Sequence, residues 1–167
     1  IKDSQSLETL HKVTTVVFDK TGTLTEGHPE VSGMYWTEGA STPLTRSVLY
    51  QLESRSEHPL AEAIVRYLKD DTSLLPIELT FESKTGQGVA GTYERETYLV
   101  GNDRLLDSLD LLQDKQVAER NKQYRQEGST VVYFASTQKI LAVIALSDPI
   151  KSTSRNAIEQ LDRDHIK

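Results

Sequence analysis

Val13-Thr14-Thr15-Val16-Val17-Phe18-Asp19-Lys20-Thr21-Gly22-Thr23-Leu24-Thr25 is the stretch from which the fold is first read. Residues 13–18 form a β-branched, near-continuously apolar run of strand length, and such runs suit strands covered on both faces, as in a parallel α/β sheet. The polar residues after Phe18 then lie at the carboxyl end of that strand, where open α/β sheets carry their sites. Asp19 is the leading candidate for chemistry. A carboxylate attacks phosphorus to give an acyl phosphate, provided that backbone N–H groups, a cation and Mg²⁺ offset the incoming charge. Lys20 brings a positive charge, Gly22 permits a turn that aims amides at a phosphate, and Thr21 and Thr23 add hydroxyls and carbonyls. Taken without its neighbours, Asp-Lys-Thr-Gly also fits an Asx-type turn at a strand end.

Downstream, Gly27-His28-Pro29 breaks the pattern and a short strand is expected over 31–36. Thr42 offers a cap and Pro43 a first helical position, with Leu44, Val48 and Leu52 forming one apolar stripe, so a helix is expected over 43–54. A second helix is expected from Pro59, with Leu60, Ile64 and Leu68 on one face and His58 at its amino end. Between Glu78 and Gly101 the pattern turns to short β-prone stretches punctuated by Gly86, Gly88 and Gly91. A hairpin of 89–93 with 97–100 is expected around Glu94-Arg95-Glu96. Helices over 103–109 and 114–127, a strand pair over 131–134 and 140–146, a break at Asp148-Pro149-Ile150-Lys151 and a helix over 152–162 complete the reading. The expected organisation is an α+β domain over 32–143, an antiparallel sheet flanked by helices, inserted into an α/β domain represented by 1–31 and 144–167.

Composition sets the bounds. The 167 residues carry 19 Lys+Arg against 25 Asp+Glu, a net charge of -6, with 37% hydrophobic residues and no Cys. That is enough for a sizeable core. It excludes a disulfide framework and thiolate metal ligation, and the scattered basic residues argue against nucleic acid as a partner. No stretch approaches the ~18 apolar residues of a membrane span, and no signal-peptide pattern opens the chain. His11, His28 and His165 are too dispersed for a metal cage. The chain opens at Ile1 without an initiating Met and is read as a fragment of something longer. Gly86-Gln87-Gly88-Val89-Ala90-Gly91 has the spacing G-x-G-x-x-G, but a strand rather than a helix is expected after it, so a dinucleotide fold does not follow. Either a Gly-rich hairpin turn or close backbone approach to a nucleotide fits these glycines. His58 likewise is either a plain helix cap or a ring held where a base or phosphate meets it at the positive helix end. Trp36 and the tyrosines are read as packing residues.

Asp19-Lys20-Thr21-Gly22-Thr23-Leu24-Thr25, preceded by Val16-Val17-Phe18, resembles the phosphorylation signature of the P-type ATPases. Ser56-Glu57-His58-Pro59-Leu60 resembles the His-Pro motif of their heavy-metal-transporting branch. Asp148-Pro149-Ile150-Lys151 resembles the segment where that chain re-enters its phosphorylation domain. The resemblance implies a nucleotide-binding domain inserted in a partial haloacid-dehalogenase-like phosphorylation domain. It implies ATP held by Glu53, His58, Gly86, Gly88, Gly101 and Asn102, and catalysis by Asp19 with Lys20 and Thr21. It further implies Mg²⁺ bound partly by Asp19 and the Thr21 carbonyl, at the cytoplasmic face of a membrane. The implied partners are the rest of the phosphorylation domain, an actuator domain, transmembrane helices and a heavy-metal cation, copper being favoured over zinc or cadmium. Related phosphohydrolases commonly carry a second Asp two residues after the nucleophile, where this chain has Thr21. A soluble phosphatase of the haloacid dehalogenase type and a non-enzymatic nucleotide-binding module are the alternatives. The family's Thr-Gly-Asp segment, its downstream Lys and its Gly-Asp-Gly-x-Asn-Asp motif do not occur in these residues.

Overall fold

The computed structural model describes residues 12–109, 111 and 113–167, which divide into two compact units, 29–147, and 12–28 with 148–167. The divisions fall outside the 31/32 and 143/144 positions expected from the sequence. The first and last strands of the larger unit pair from Glu30 with Ser147 through to Trp36 with Ala142.

The larger unit is built on one six-stranded antiparallel sheet: β1 (Glu30–Trp36), β2 (Glu82–Lys84), β3 (Gly88–Tyr93), β4 (Glu96–Gly101), β5 (Thr130–Ser136) and β6 (Ile140–Ser147), in the spatial order β1-β6-β5-β4-β3-β2. Its helices are α1 (Pro43–Glu53), α2 (Pro59–Leu68), α3 (Asp103–Ser108) and α4 (Lys115–Gln126). This is the antiparallel sheet with flanking helices expected from the pattern. Strand residues alternate between two faces, because successive side chains of a strand point to opposite sides. Val89, Tyr98, Val100, Phe134, Ala142 and Ile144 pack with Val48, Leu49 and Leu52 of α1 and Ile64 and Leu68 of α2. The opposite face sends Val131, Tyr133, Ala135 and Val143 against Leu106 of α3 and Val117 of α4. Helices on both faces explain why Ile140–Leu146 is apolar throughout and buried throughout even though its sheet is antiparallel. Trp36 meets Phe134 edge to face at 6.0 Å, a packing role.

Local chemistry delimits the helices. Thr42 and Thr45 form a reciprocal capping box ahead of Pro43, and Asp114 accepts the Val117 N–H at 2.8 Å to start α4. The chain turns between β3 and β4 at Glu94, whose φ is 56°. The short edge strand β2 has no counterpart among the expected strands; its register of three pairs with β3 is a long-range decision that a run as polar as Glu82-Ser83-Lys84 does not announce.

In the smaller unit the strand expected over 13–18 is not formed. The segment is largely exposed, with Val17 90% exposed, and among the described residues its backbone bonds run to Lys167: Val16 N–H to the Lys167 carbonyl at 2.7 Å and Lys167 N–H to that of Thr14 at 2.9 Å. The apolar run supplies strand propensity, but flanking strands and helices must supply the burial, and among the described residues they do not. Helix α5 (Ser152–Arg163) completes this unit.

Candidate functional site

Asp19 lies in extended conformation (φ -70°, ψ 143°), and the chain then makes a wide turn over Lys20–Leu24, closed by the Thr25 N–H to the Lys20 carbonyl at 3.2 Å. Gly22 takes φ 74° in it. Asp19, Lys20 and Thr21 are all exposed. What holds the turn is Thr25, 4% exposed: its hydroxyl lies 3.1 Å from the Lys20 carbonyl and 2.5 Å from Asp148 Oδ2, and accepts the Gly22 N–H at 3.2 Å. Asp148 Oδ1 accepts the amides of Gly27 and His28 at 2.9 and 3.2 Å. The Thr25 hydrogen bond, with these amides, holds the Asp148 carboxyl below the usual carboxylate range. From the start of α5, Lys151 Nζ donates to the Gly22 carbonyl at 2.7 Å and Ser154 Oγ to that of Leu24 at 2.8 Å. The Asp148-Pro149-Ile150-Lys151 word is therefore both a helix entry and the clamp of the Asp19 turn. Thr25 closes the first word, though nothing there announced its clamp role, and Ser154 carried no sequence signal beyond lying near the second.

In the larger unit, Glu53, His58, Gly86, Gly88, Gly101 and Asn102 line one cleft of about 320 Å³. They arrive from four places: the end of α1, the start of α2, the β2–β3 turn and the β4–α3 corner. Val89, Val100 and Val132 of the sheet and Ala61 and Ile64 of α2 supply its apolar surface. His58 caps α2, its Nδ1 accepting the Leu60 N–H at 3.2 Å; a neutral ring bonded that way carries its proton on Nε2, a donor still available. The capping and ligand-facing readings are thus compatible in one rotamer. Glu57 is exposed and does not line the cleft.

Glu53 is 5% exposed, and among the described residues no hydrogen bond reaches its carboxyl; burial pushes it from 4.5 up to about 7. A buried acid without a partner, facing a cavity, is an arrangement that functional sites keep and cores avoid.

The glycines permit close backbone approach. A Cβ on Gly101 would stand 2.1 Å from the Gln87 carbonyl oxygen, and one on Gly88 would stand 2.0 Å from that of Val100. Asn102 ties the two segments together: its N–H donates to the Gln87 carbonyl at 3.0 Å, its Nδ2 to that of Gly86 at 3.1 Å, and its Oδ1 accepts the Arg104 N–H at 3.1 Å. Its side-chain amide is engaged within the protein and sets the glycine turn. Behind it, Asp103 accepts from the Tyr133 hydroxyl at 3.0 Å and from Arg125 at 2.6 Å, anchoring the α3 start to β5 and α4. Burial, then the Asp103 charge, push the Tyr133 phenol up to about 12, so it remains a donor. Sequence reasoning missed this support, because its three residues lie on three elements. It also missed Lys84, a cleft residue whose neighbour Gly86 was the available signal.

Comparison with known proteins adds lineage. The model of the haloacid dehalogenase-like hydrolases matches residues 13–167. A silver exporting P-type ATPase of Salmonella typhimurium is 36% identical over 168 residues, covering 100% of this chain and 20% of that protein. A copper-exporting P-type ATPase of Staphylococcus aureus (strain Newman) is 34% identical over 160 residues, covering 96% of this chain and 19% of its own. The chain thus spans about a fifth of these relatives' length. Among solved structures, one of a zinc-transporting PIB-type ATPase superposes with a TM-score of 0.75 at 29% identity, covering all of this chain and 27% of that one. With the family model running from Val13 to Lys167, through the Asp19 turn and the cleft alike, the chain belongs to the haloacid dehalogenase-like hydrolases.

Proposed function

We propose that this chain is the ATP-binding portion of a heavy-metal-transporting P-type ATPase. Residues 29–147 serve as the nucleotide-binding domain, and 12–28 with 148–167 as segments of the phosphorylation domain. The observation that carries this reading is the convergence of Glu53, His58, Gly86, Gly88, Gly101 and Asn102 on one cleft. The likeness to silver and copper exporters supports export of a monovalent soft cation, copper first; the likeness to a zinc-transporting pump makes zinc the second reading. The remaining partners of this reading are the rest of the phosphorylation domain, an actuator domain and transmembrane helices, with this portion at the cytoplasmic face of the membrane.

In the proposed reaction the base of ATP lies on the apolar surface of the cleft, with His58 and Glu53 at its polar edge and the glycine backbones close to the sugar and phosphates. The Asp19 carboxylate attacks the γ-phosphorus; the bond to the bridging oxygen breaks, ADP leaves, and an acyl phosphate forms. Lys20 and the turn amides offset charge on the transferring group. Mg²⁺ fits this segment in donor chemistry: the Asp19 carboxylate and the Thr21 carbonyl are hard oxygens that leave positions for phosphate and water. Bound there, it would neutralise phosphate charge. Thr21 offers no carboxylate to activate water, so the acyl phosphate persists until another domain promotes hydrolysis, which suits a transport cycle better than a free phosphatase.

Nucleotide titration followed by NMR tests the cleft. ATP at roughly millimolar concentration should shift the Gly86, Gly88 and His58 signals. His58→Ala should weaken binding at least about fivefold and Glu57→Ala less than about twofold. His58→Ser, which keeps a cap but lacks the ring, should match the alanine variant. Unmoved signals would refute the assignment. Asp19→Asn, placed in the full-length protein, should abolish the phosphoenzyme formed from labelled ATP; label retained at wild-type level would remove Asp19 as the acceptor.

A further inference from the structure

The cleft is mostly uncharged. Among the described residues that line it, Glu53 is the one acid and Lys84 the one Lys or Arg. Lys84 ends β2, opposite Gly88 in the β2–β3 register, and its carbonyl accepts the Gln87 N–H at 2.9 Å, so it stands at the foot of the glycine turn. Its side chain is 33% exposed, and Nζ lies 3.4 Å from Oε1 of Glu82, whose own side chain is 69% exposed. An exposed pair at that distance is held weakly and is easily exchanged. The apolar surface made by Ala61, Ile64 and Val132 suits a base, which leaves the polar turn beside Lys84 for the anionic end of a nucleotide. An ammonium on a flexible stem is a ready phosphate partner because its charge follows the oxygens without a fixed angle.

We propose that Lys84 is the cation of the cleft for the polyphosphate of a nucleoside di- or triphosphate, and that Glu82 competes with that polyphosphate for it. The assignment rests on the nucleotide reading above. It makes Lys84 a determinant of ATP over adenosine, and the Glu82 carboxylate a built-in attenuator of affinity.

Calorimetric titration of the 167-residue chain with ATP, ADP and adenosine, across a series of salt concentrations, tests it. Lys84→Gln should lower ATP affinity about tenfold, leave adenosine within about twofold and flatten the salt dependence of ATP binding. Lys84→Arg should restore most of the loss. Glu82→Gln should raise ATP affinity about twofold to threefold, since Lys84 no longer has to leave a carboxylate. Equal losses for adenosine and ATP would overturn the proposal by making Lys84 a support of the fold. Unchanged ATP affinity in Lys84→Gln, with adenosine and ATP still bound, would overturn it alone. A wild-type chain that binds neither would take down the nucleotide reading and this proposal together.

Discussion

Gly88→Ala is expected to cost the 29–147 unit about 3–5 kcal/mol of stability. Two penalties coincide. The φ of +148° belongs to a region that a residue with a Cβ rarely enters, and the added carbon would stand 2.0 Å from the Val100 carbonyl oxygen and 2.6 Å from the Gly101 Cα. Both neighbours are backbone of β4, so relief requires the β3–β4 ladder itself to open. Against the ~5–15 kcal/mol that holds a typical domain, the loss is a large part of the margin. Trp36, the single tryptophan, lies on β1 of this unit, so its fluorescence during urea unfolding reports on the right part of the chain. Gly86→Ala is the control. It too has positive φ, 71°, but its Cβ meets nothing within 4 Å, so about 1–2 kcal/mol is expected. Equal losses for the two would show that the close approach of β3 to β4 is not what demands glycine at position 88.

Glu53→Gln should stabilise the same unit by on the order of 3 kcal/mol at pH 8 and by nothing measurable at pH 4. The unfolded chain ionises this carboxyl above 4.5, whereas the folded chain holds its proton up to about 7. Between those values the folded state binds more protons than the unfolded state, so stability is full below 4.5, falls as pH rises and levels off above 7. Gln keeps the shape and the hydrogen-bonding ends but cannot ionise, which removes the fall. Urea melts of wild type and variant from pH 4 to pH 8 measure the difference, and parallel curves would contradict the burial of an unpaired acid. The fold carries Glu53 at a loss near neutral pH, and a residue retained at such a loss beside a cavity fits a role toward a ligand.

Much of the secondary structure is legible in the sequence because the signals are short-range. Thr42-Pro43 and His58-Pro59 announce helix starts, the Leu44, Val48, Leu52 and Leu60, Ile64, Leu68 spacings give their buried faces, and Gly128 ends α4. The same local reasoning failed at 13–18, where strand propensity is real but a strand exists only when neighbours pair with it, and at 82–84, where the pairing exists without an apolar pattern. Of the cleft, the residues that stand in recognisable words were found and those that act through contact were not. Gly86, Gly88 and His58 could be singled out in the sequence. Lys84 and the Asp103–Tyr133–Arg125 anchor could not, and although Thr25 and Asp148 each stand in a recognised word, the bond between them could not be foreseen, because the partners in these contacts lie far apart along the chain.

Sequence alone determined which residues are chemically suited to meet a phosphate or a base: the acid and lysine after Phe18, the imidazole before Pro59 and the paired glycines. The tertiary structure decided that the imidazole and the paired glycines share one cavity with Glu53 and Asn102, that Glu53 is buried while Glu57 is exposed, and that Asp148 grips the turn beyond Asp19. Residue type and helix spacing are properties of a few neighbouring positions, whereas strand order and burial are set by every element that packs against them.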